Sequence, residues 1–210
     1  MSIKAKSIQP LPRSFYDTGT VTVARTLLNK HLVRVIGRAV LIGRIVEAEA
    51  YGGQNDPASH AYRGPTPRNM AMFGEPGHAY IYFTYGNHYC LNVTTRRAGV
   101  AGAVLLRAIE PLQGSNMMKR FRPNVPELQL TNGPGKLTKA LAIDKSLNEI
   151  DLAKQGPLFI GKASSEPPST IKRSRRIGIT LGIGRLWRFY IESNQYISRN
   201  ASGNRRTHPV

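Results

Sequence analysis

The run RAVLIGRIVEAEAY, residues 38–51, constrains this chain more than any other stretch. It follows HLVRVIG, with Gly37-Arg38 between them, so the two read as strands of an antiparallel hairpin. Gly43 within the second strand marks a bulge. Side chains alternate along a strand, so Ile45, Glu47, Glu49 and Tyr51 face one way. Val46, Ala48 and Ala50 face the other, which suits packing on a core. The first face then carries two carboxylates and a phenol at intervals of about 7 Å. Carboxylates so placed serve as a general base, as metal ligands, or as partners of arginines in structural ion pairs. Alternation does not separate Glu47 from Glu49.

That local acidity stands out because the chain is basic. Its 210 residues hold 30 Lys and Arg against 12 Asp and Glu, a net charge of +18. Such a balance draws a polyanion, most often nucleic acid. Cations tuned for solubility explain a modest excess, and acidic membrane surfaces or ribosomal assembly are the other partners of a charge this large. Length and a 40% hydrophobic content suit one globular domain over 1–210, with 1–12 and 200–210 as loose termini. No apolar run reaches the length of about 18 residues that spans a membrane, and the N-terminus lacks an apolar h-region. The expectation is a cytoplasmic protein without a membrane partner. Cys90 is the only cysteine, which excludes an intrachain disulfide, and the scattered histidines form no HxxxH.

The rest of the chain mixes short strands with short helices. VTVARTLLNKHL reads as a helix with Asp17, Thr18 or Thr20 at its cap. Residues 52–78 read as a long loop with a short helix near 68–73, and loops this long in compact domains are usually functional. HAYIYFTYGNHYCLNVTT reads as two strands around a turn at Tyr85-Gly86-Asn87. GAVLLRAIEPL is a further strand, and GPGKLTKALAI a helix with Pro134 in its first turn. KASSEPPSTIKRSRR reads as a basic loop, and RIGITLG and WRFYIE as closing strands.

Tyr80 and Tyr82 share a strand face. Tyr85 falls at the turn, where an exposed aromatic can stack on bases or wedge between them. Strand composition alone accounts for Tyr80 and Tyr89. His60, in a polar loop, reads on its own as a solvated histidine. Asn92 and Arg107 lie inside apolar strands and must be hydrogen-bonded there, in a structural network or in a site. GPGK is too short to signal a nucleotide site, and neither Walker A nor GxSxG is present.

RIVEAEAY, SHAYRG, TPRNMAMF, PGHAYIYFTYGNHYCLNV, GAVLLRAIEP, NGPGKLTKALAI, RRIGI and WRFYI occur in that order over roughly residues 14–198. Together they resemble the alkyladenine (3-methyladenine, methylpurine) DNA glycosylase family, in a bacterial form. The resemblance implies an α+β fold: a single mixed domain with a curved, largely antiparallel β-sheet flanked by short helices, like a formyltransferase C-terminal domain. It implies a monomeric, monofunctional, nucleoid-associated base-excision repair enzyme that needs no cofactor and no metal. Its partner is double-stranded DNA containing damaged purines of the 3-methyladenine, 7-methylguanine, hypoxanthine and ethenoadenine class. Such an enzyme flips the base out and hydrolyses the N-glycosidic bond to leave an abasic site.

By the same resemblance, Glu49 matches the family's EAY glutamate and activates the water, with Arg107 holding both. Tyr51 and His60 grip the base from one side and Tyr82 from the other. Asn92 crowds the purine 2-position against the guanine amino group. Tyr85 is the DNA-intercalating wedge, and Glu47 an ion-pair partner behind the base. Asn87 and His88 depart from the more apolar residues of eukaryotic members, which bears on opposite-strand contacts. Two other readings remain: a non-catalytic RNA- or DNA-binding module on the same basic surface, and a metal nuclease using Glu47, Glu49 and Asp56.

Overall fold

The computed structural model describes residues 3–84, 86–163 and 169–198. The expected hairpin forms from β1 (His31–Ile36) and β2 (Ala39–Tyr51). Gly37 turns it with φ +57°, a conformation that side-chain-bearing residues rarely adopt. The remaining strands are β3 (Ala79–Thr84), β4 (His88–Thr94), β5 (Ala103–Gln113), β6 (Leu158–Gly161), β7 (Ile171–Ser174) and β8 (Arg188–Ile191). They form one curved sheet in the order β3-β4-β5-β2-β1-β6, with β7 paired to β8 and β8 to β2. Every pairing is antiparallel. Short helices α1 (Arg13–Tyr16), α2 (Thr20–Thr26), α3 (Ser115–Phe121) and α4 (Pro134–Ala140) flank it. Among the described residues no helix is long and apolar enough to cross a membrane.

The long strand β2 organises the molecule. One edge is bonded to β5 along most of its length. The other edge changes partner midway, from β1 at Ala39–Arg44 to β8 at Glu47, Ala48 and Glu49. Val46, Ala48 and Ala50 join the main core with Val23 and Ala24 of α2 and Leu137 and Ala140 of α4. Glu47, Glu49 and Tyr51 lie outside that core, as alternation requires.

Ile45 departs from that pattern and is in the core with Val46. The β2–β5 register slips between Ile45 and Glu47, so the extra residue resets the alternation there. A second slip, between Glu47 and Ala48, leaves Arg107 of β5 without an opposite residue. The register also slips between Ile42 and Gly43, but there the extra residue is Leu112 of β5, so the bulge expected in β2 at Gly43 lies on the partner strand.

RIGITLG is not a strand. The seventh strand is Ile171–Ser174, inside the stretch read as a basic loop. The reason lies in what the 176–182 backbone and side chains bond to. The Ile177 amide donates to the Glu49 carboxylate instead of to a neighbouring strand, and Gly178 and Gly182 take φ +75° and +62°. Helix α2 begins after Gly19 with no side-chain cap, so none of Asp17, Thr18 and Thr20 caps it. Within the N-terminal stretch expected to be loose, Ile8 and Leu11 are buried, and Leu11 N donates to Ile160 O at 2.9 Å. Residues 200–210 lie outside the described residues.

Candidate active site

The 52–78 loop is ordered by its own polar side chains. Asn69 is buried; its carbonyl accepts from Thr66 N, and its amide donates to His60 O and Gly64 O. Asp56, also buried, forms a two-pronged ion pair with Arg176, at 2.5 and 2.7 Å, and accepts from Gly52 N. Arg176 further donates to Ala50 O, and Arg185 reaches Asn55 O at 2.6 Å. Two arginines thus clip the 176–187 segment to the loop, and the two together flank the end of β2.

Between them opens a pocket of ≈ 180 Å³ walled by Tyr51, His60, Met72, Tyr80, Tyr82, Asn92, Gly178 and Ile179, among others. It is smaller than the roughly 300–1,000 Å³ that takes a drug-sized ligand, so it suits a single ring system. The Arg176 guanidinium lies 4.7 Å from the Tyr51 ring centroid and 5.3 Å from that of Trp187. It therefore covers one face of Tyr51. The His60 ring stands edge-on to Tyr82, with centroids 4.6 Å apart, and its Nδ1 is 2.8 Å from the Tyr80 hydroxyl. Partial burial and the nearby Arg68 cation push the His60 pKa below its ordinary value, which favours the neutral ring. Asn92, opposite Tyr80 in the β3–β4 register, donates through its amide to Tyr80 O at 2.9 Å, which fixes its side chain.

Behind the Tyr51 wall lie both glutamates, each fully buried. Glu49 Oε2 accepts from the Tyr51 hydroxyl at 2.9 Å and from Arg107 Nη1 at 3.2 Å. Glu49 Oε1 accepts from Ile177 N at 2.8 Å, which leaves it capacity for one more donor. Glu47 takes four hydrogen bonds. Arg107 Nε, Arg188 Nε and Ser198 Oγ meet Oε1 at 2.9, 2.7 and 2.8 Å, and Ser198 N meets Oε2 at 2.6 Å. Burial raises the Glu49 pKa, and Arg107 and the Ile177 amide only partly offset it. Burial also acts on Glu47, but Arg107, Arg188 and the Ser198 amide outweigh it and hold that carboxyl below the usual range.

The fold brings Glu49, Arg107, Tyr51, His60, Tyr82 and Asn92 together around one pocket and the wall behind it. Tyr85 lies outside the described residues. The resemblance set His60 beside Tyr51 and across from Tyr82; the imidazole makes ring contacts with Tyr82 and Tyr80. Asp56 belongs to Arg176 and Glu47 to two arginines, so the three carboxylates considered for a nuclease do not converge. Among the described residues no group of three or more His, Cys, Asp and Glu is placed to hold a metal ion. Sequence reasoning missed Tyr80 as the partner of His60, and missed Arg176 and Ile177. Tyr80 carried a signal, because it shares a strand face with Tyr82. Arg176 was one cation among several in a basic stretch, and a backbone amide has no sequence signal.

Relatives carry the same chain nearly end to end. The family model of methylpurine-DNA glycosylase matches residues 14–195. A protein from Carboxydothermus hydrogenoformans is 51% identical over 189 residues, 90% of this chain and 98% of its own. One from Burkholderia lata is 46% identical over 191 residues, 90% of each chain, and one from Methanocella arvoryzae 42% over 198 residues, 92% of this chain and 98% of its own. All three are provisionally named 3-methyladenine DNA glycosylases. An α+β domain with a ring-walled pocket beside buried carboxylates is thus a DNA glycosylase, a hydrolase of DNA repair. The chain belongs to the methylpurine-DNA glycosylase family.

Proposed function

We propose that this glycosylase releases damaged purines from duplex DNA with Glu49 as the base that activates water. The observation that carries this is the Glu49 carboxylate, buried directly behind the pocket wall, oriented by the Tyr51 hydroxyl, Arg107 and the Ile177 amide, and retaining one acceptor position. The flipped base enters between the Tyr51 ring, backed by Arg176, and the paired rings of His60 and Tyr82. Electron-poor alkylated purines stack well on such rings, and a neutral His60 adds no repulsion to a cationic base. Asn92, tied to Tyr80 O, disfavours the guanine amino group by a clash.

Water held on Glu49 Oε1 attacks C1′ as the base departs. Glu49 takes its proton, and the carboxylate charge stabilises the oxocarbenium-like transition state. Arg107 keeps the carboxylate oriented. Tyr85 fills the gap left in the stack, and the substrates are 3-methyladenine, 7-methylguanine, hypoxanthine and ethenoadenine. A binding module without catalysis would have no use for a buried carboxylate whose proton affinity is raised.

The test uses duplexes carrying each of these lesions singly, with alkaline cleavage at abasic sites as the readout. The wild type should release base from at least one lesion, and Glu49→Gln should release none while still binding lesion duplex. Release by Glu49→Gln at the wild-type rate would remove Glu49 from the role. Failure of the wild type on every lesion, together with tight RNA binding, would establish the binding module instead.

A further inference from the structure

Glu47 is fully buried and heavily hydrogen-bonded, and the mechanism above does not use it. It takes four hydrogen bonds from three elements: Arg107 of β5, Arg188 of β8, and Ser198 through both its hydroxyl and its amide. Arg107 bonds both glutamates. Its Nε goes to Glu47 and its Nη1 to Glu49. A guanidinium can instead turn two parallel N–H groups onto one carboxylate, the arrangement that binds it most strongly. Here Glu47 occupies Nε, so Arg107 meets Glu49 with a single nitrogen and at the longer distance, 3.2 Å against 2.9 Å.

We propose that Glu47 is a positioning residue for the reaction: by drawing Arg107 and Arg188 onto itself, it keeps Arg107 from clasping Glu49 and so leaves Glu49 able to accept a proton. Two arginines and two glutamates form the group, and the positive charge is divided unequally between the carboxylates. The opposite displacement of the two carboxyls agrees with this, since burial raises Glu49 while the arginines and Ser198 hold Glu47 down. The other titratable groups near Glu49 do not disturb the balance. Tyr51, Tyr82 and Cys90 are all pushed up by burial and stay neutral, and Arg176 is neutralised by Asp56. The inference rests on reading Glu49 as the base.

The experiment measures single-turnover release of 7-methylguanine from duplex DNA across pH. That cationic base needs no proton to leave, so the acid limb reports the base alone. In Glu47→Gln, Arg107 is left with Glu49 as its only carboxylate, and the acid limb should move to lower pH by about one unit. The plateau rate should fall with it. In Arg188→Gln, one positive charge leaves the group, and the limb should move to higher pH. Glu47→Asp keeps the charge and should restore the wild-type limb. Opposite shifts in the first two variants are not produced by loss of packing, which lowers stability in both without moving either limb. A limb unmoved in whichever of these two variants folds would reduce Glu47 to a structural role. Glu49→Gln, run alongside, separates the failures: if it stays active, the base is misassigned and the inference falls with it. If it is inactive and the limbs do not move, only the inference about Glu47 is overturned.

Discussion

Glu47 and Glu49 share a strand, a face and complete burial, yet their electrostatic settings are opposite. A carboxyl whose pKa is raised by folding binds more protons in the native state than in the unfolded one, so its ionised form costs stability at neutral pH. That cost lessens as pH falls through the raised pKa. Glu49→Gln should therefore melt no lower than the wild type, which thermal unfolding checks. Glu47 has the reverse sign: it contributes stability above its unfolded pKa, and loses it as pH falls through the lower native value. Removing its charge leaves Arg188 and Arg107 short of a buried partner, so Glu47→Gln should cost about 3–5 kcal/mol in denaturant unfolding. In the proposed role of base Glu49 must be ionised, so base release should fall with acid at a pH above the ordinary carboxylate range. An acid limb at or below that range would contradict the burial seen here. The pairing of both glutamates with Tyr51 on one face was legible from alternation. The difference between them was not, because it depends on Arg188, Ile177 and Ser198, which lie far away in sequence.

Among the elements, hairpins and strands dense in β-branched and aromatic residues were legible: β1–β2, β3–β4, β5 and β8 all stand where the pattern put them. The bulges that place Arg107 and turn Ile45 inward follow from register, which one strand's sequence does not contain. RIGITLG has the composition of a strand, but its polar groups are spent on the site. The clip between Arg176 and Asp56 joins this segment to the 52–78 loop with both side chains buried. Asp56→Ala would strand that guanidinium, with an expected cost of about 3–5 kcal/mol. Proteolysis should then cut first within 52–78, and an unchanged cleavage pattern would show that the bonds of Asn69 and Arg185 suffice to order the loop.

At the scale of the whole molecule, the chain carries a charge of +18, while Arg107, Arg176 and Arg188 around the site are paired with carboxylates. The excess of cations over carboxylates is available to phosphate. Affinity for duplex DNA should fall by about 10³-fold or more between about 50 and 200 mM salt, if six or more phosphates are contacted. A titration flat over that range would assign the cations another task. The change of partner along β2 has a further consequence. Its first half is completed by β1, the strand just before it, whereas its second half waits for β8, and the carboxylates there wait for Ile177, Arg188 and Ser198. During synthesis on the ribosome, both glutamates emerge well before Ile177, Arg188 and Ser198, which hold them together with Arg107. A nascent chain can thus fold its first hairpin long before the far end of the same strand has the partners that make it a site.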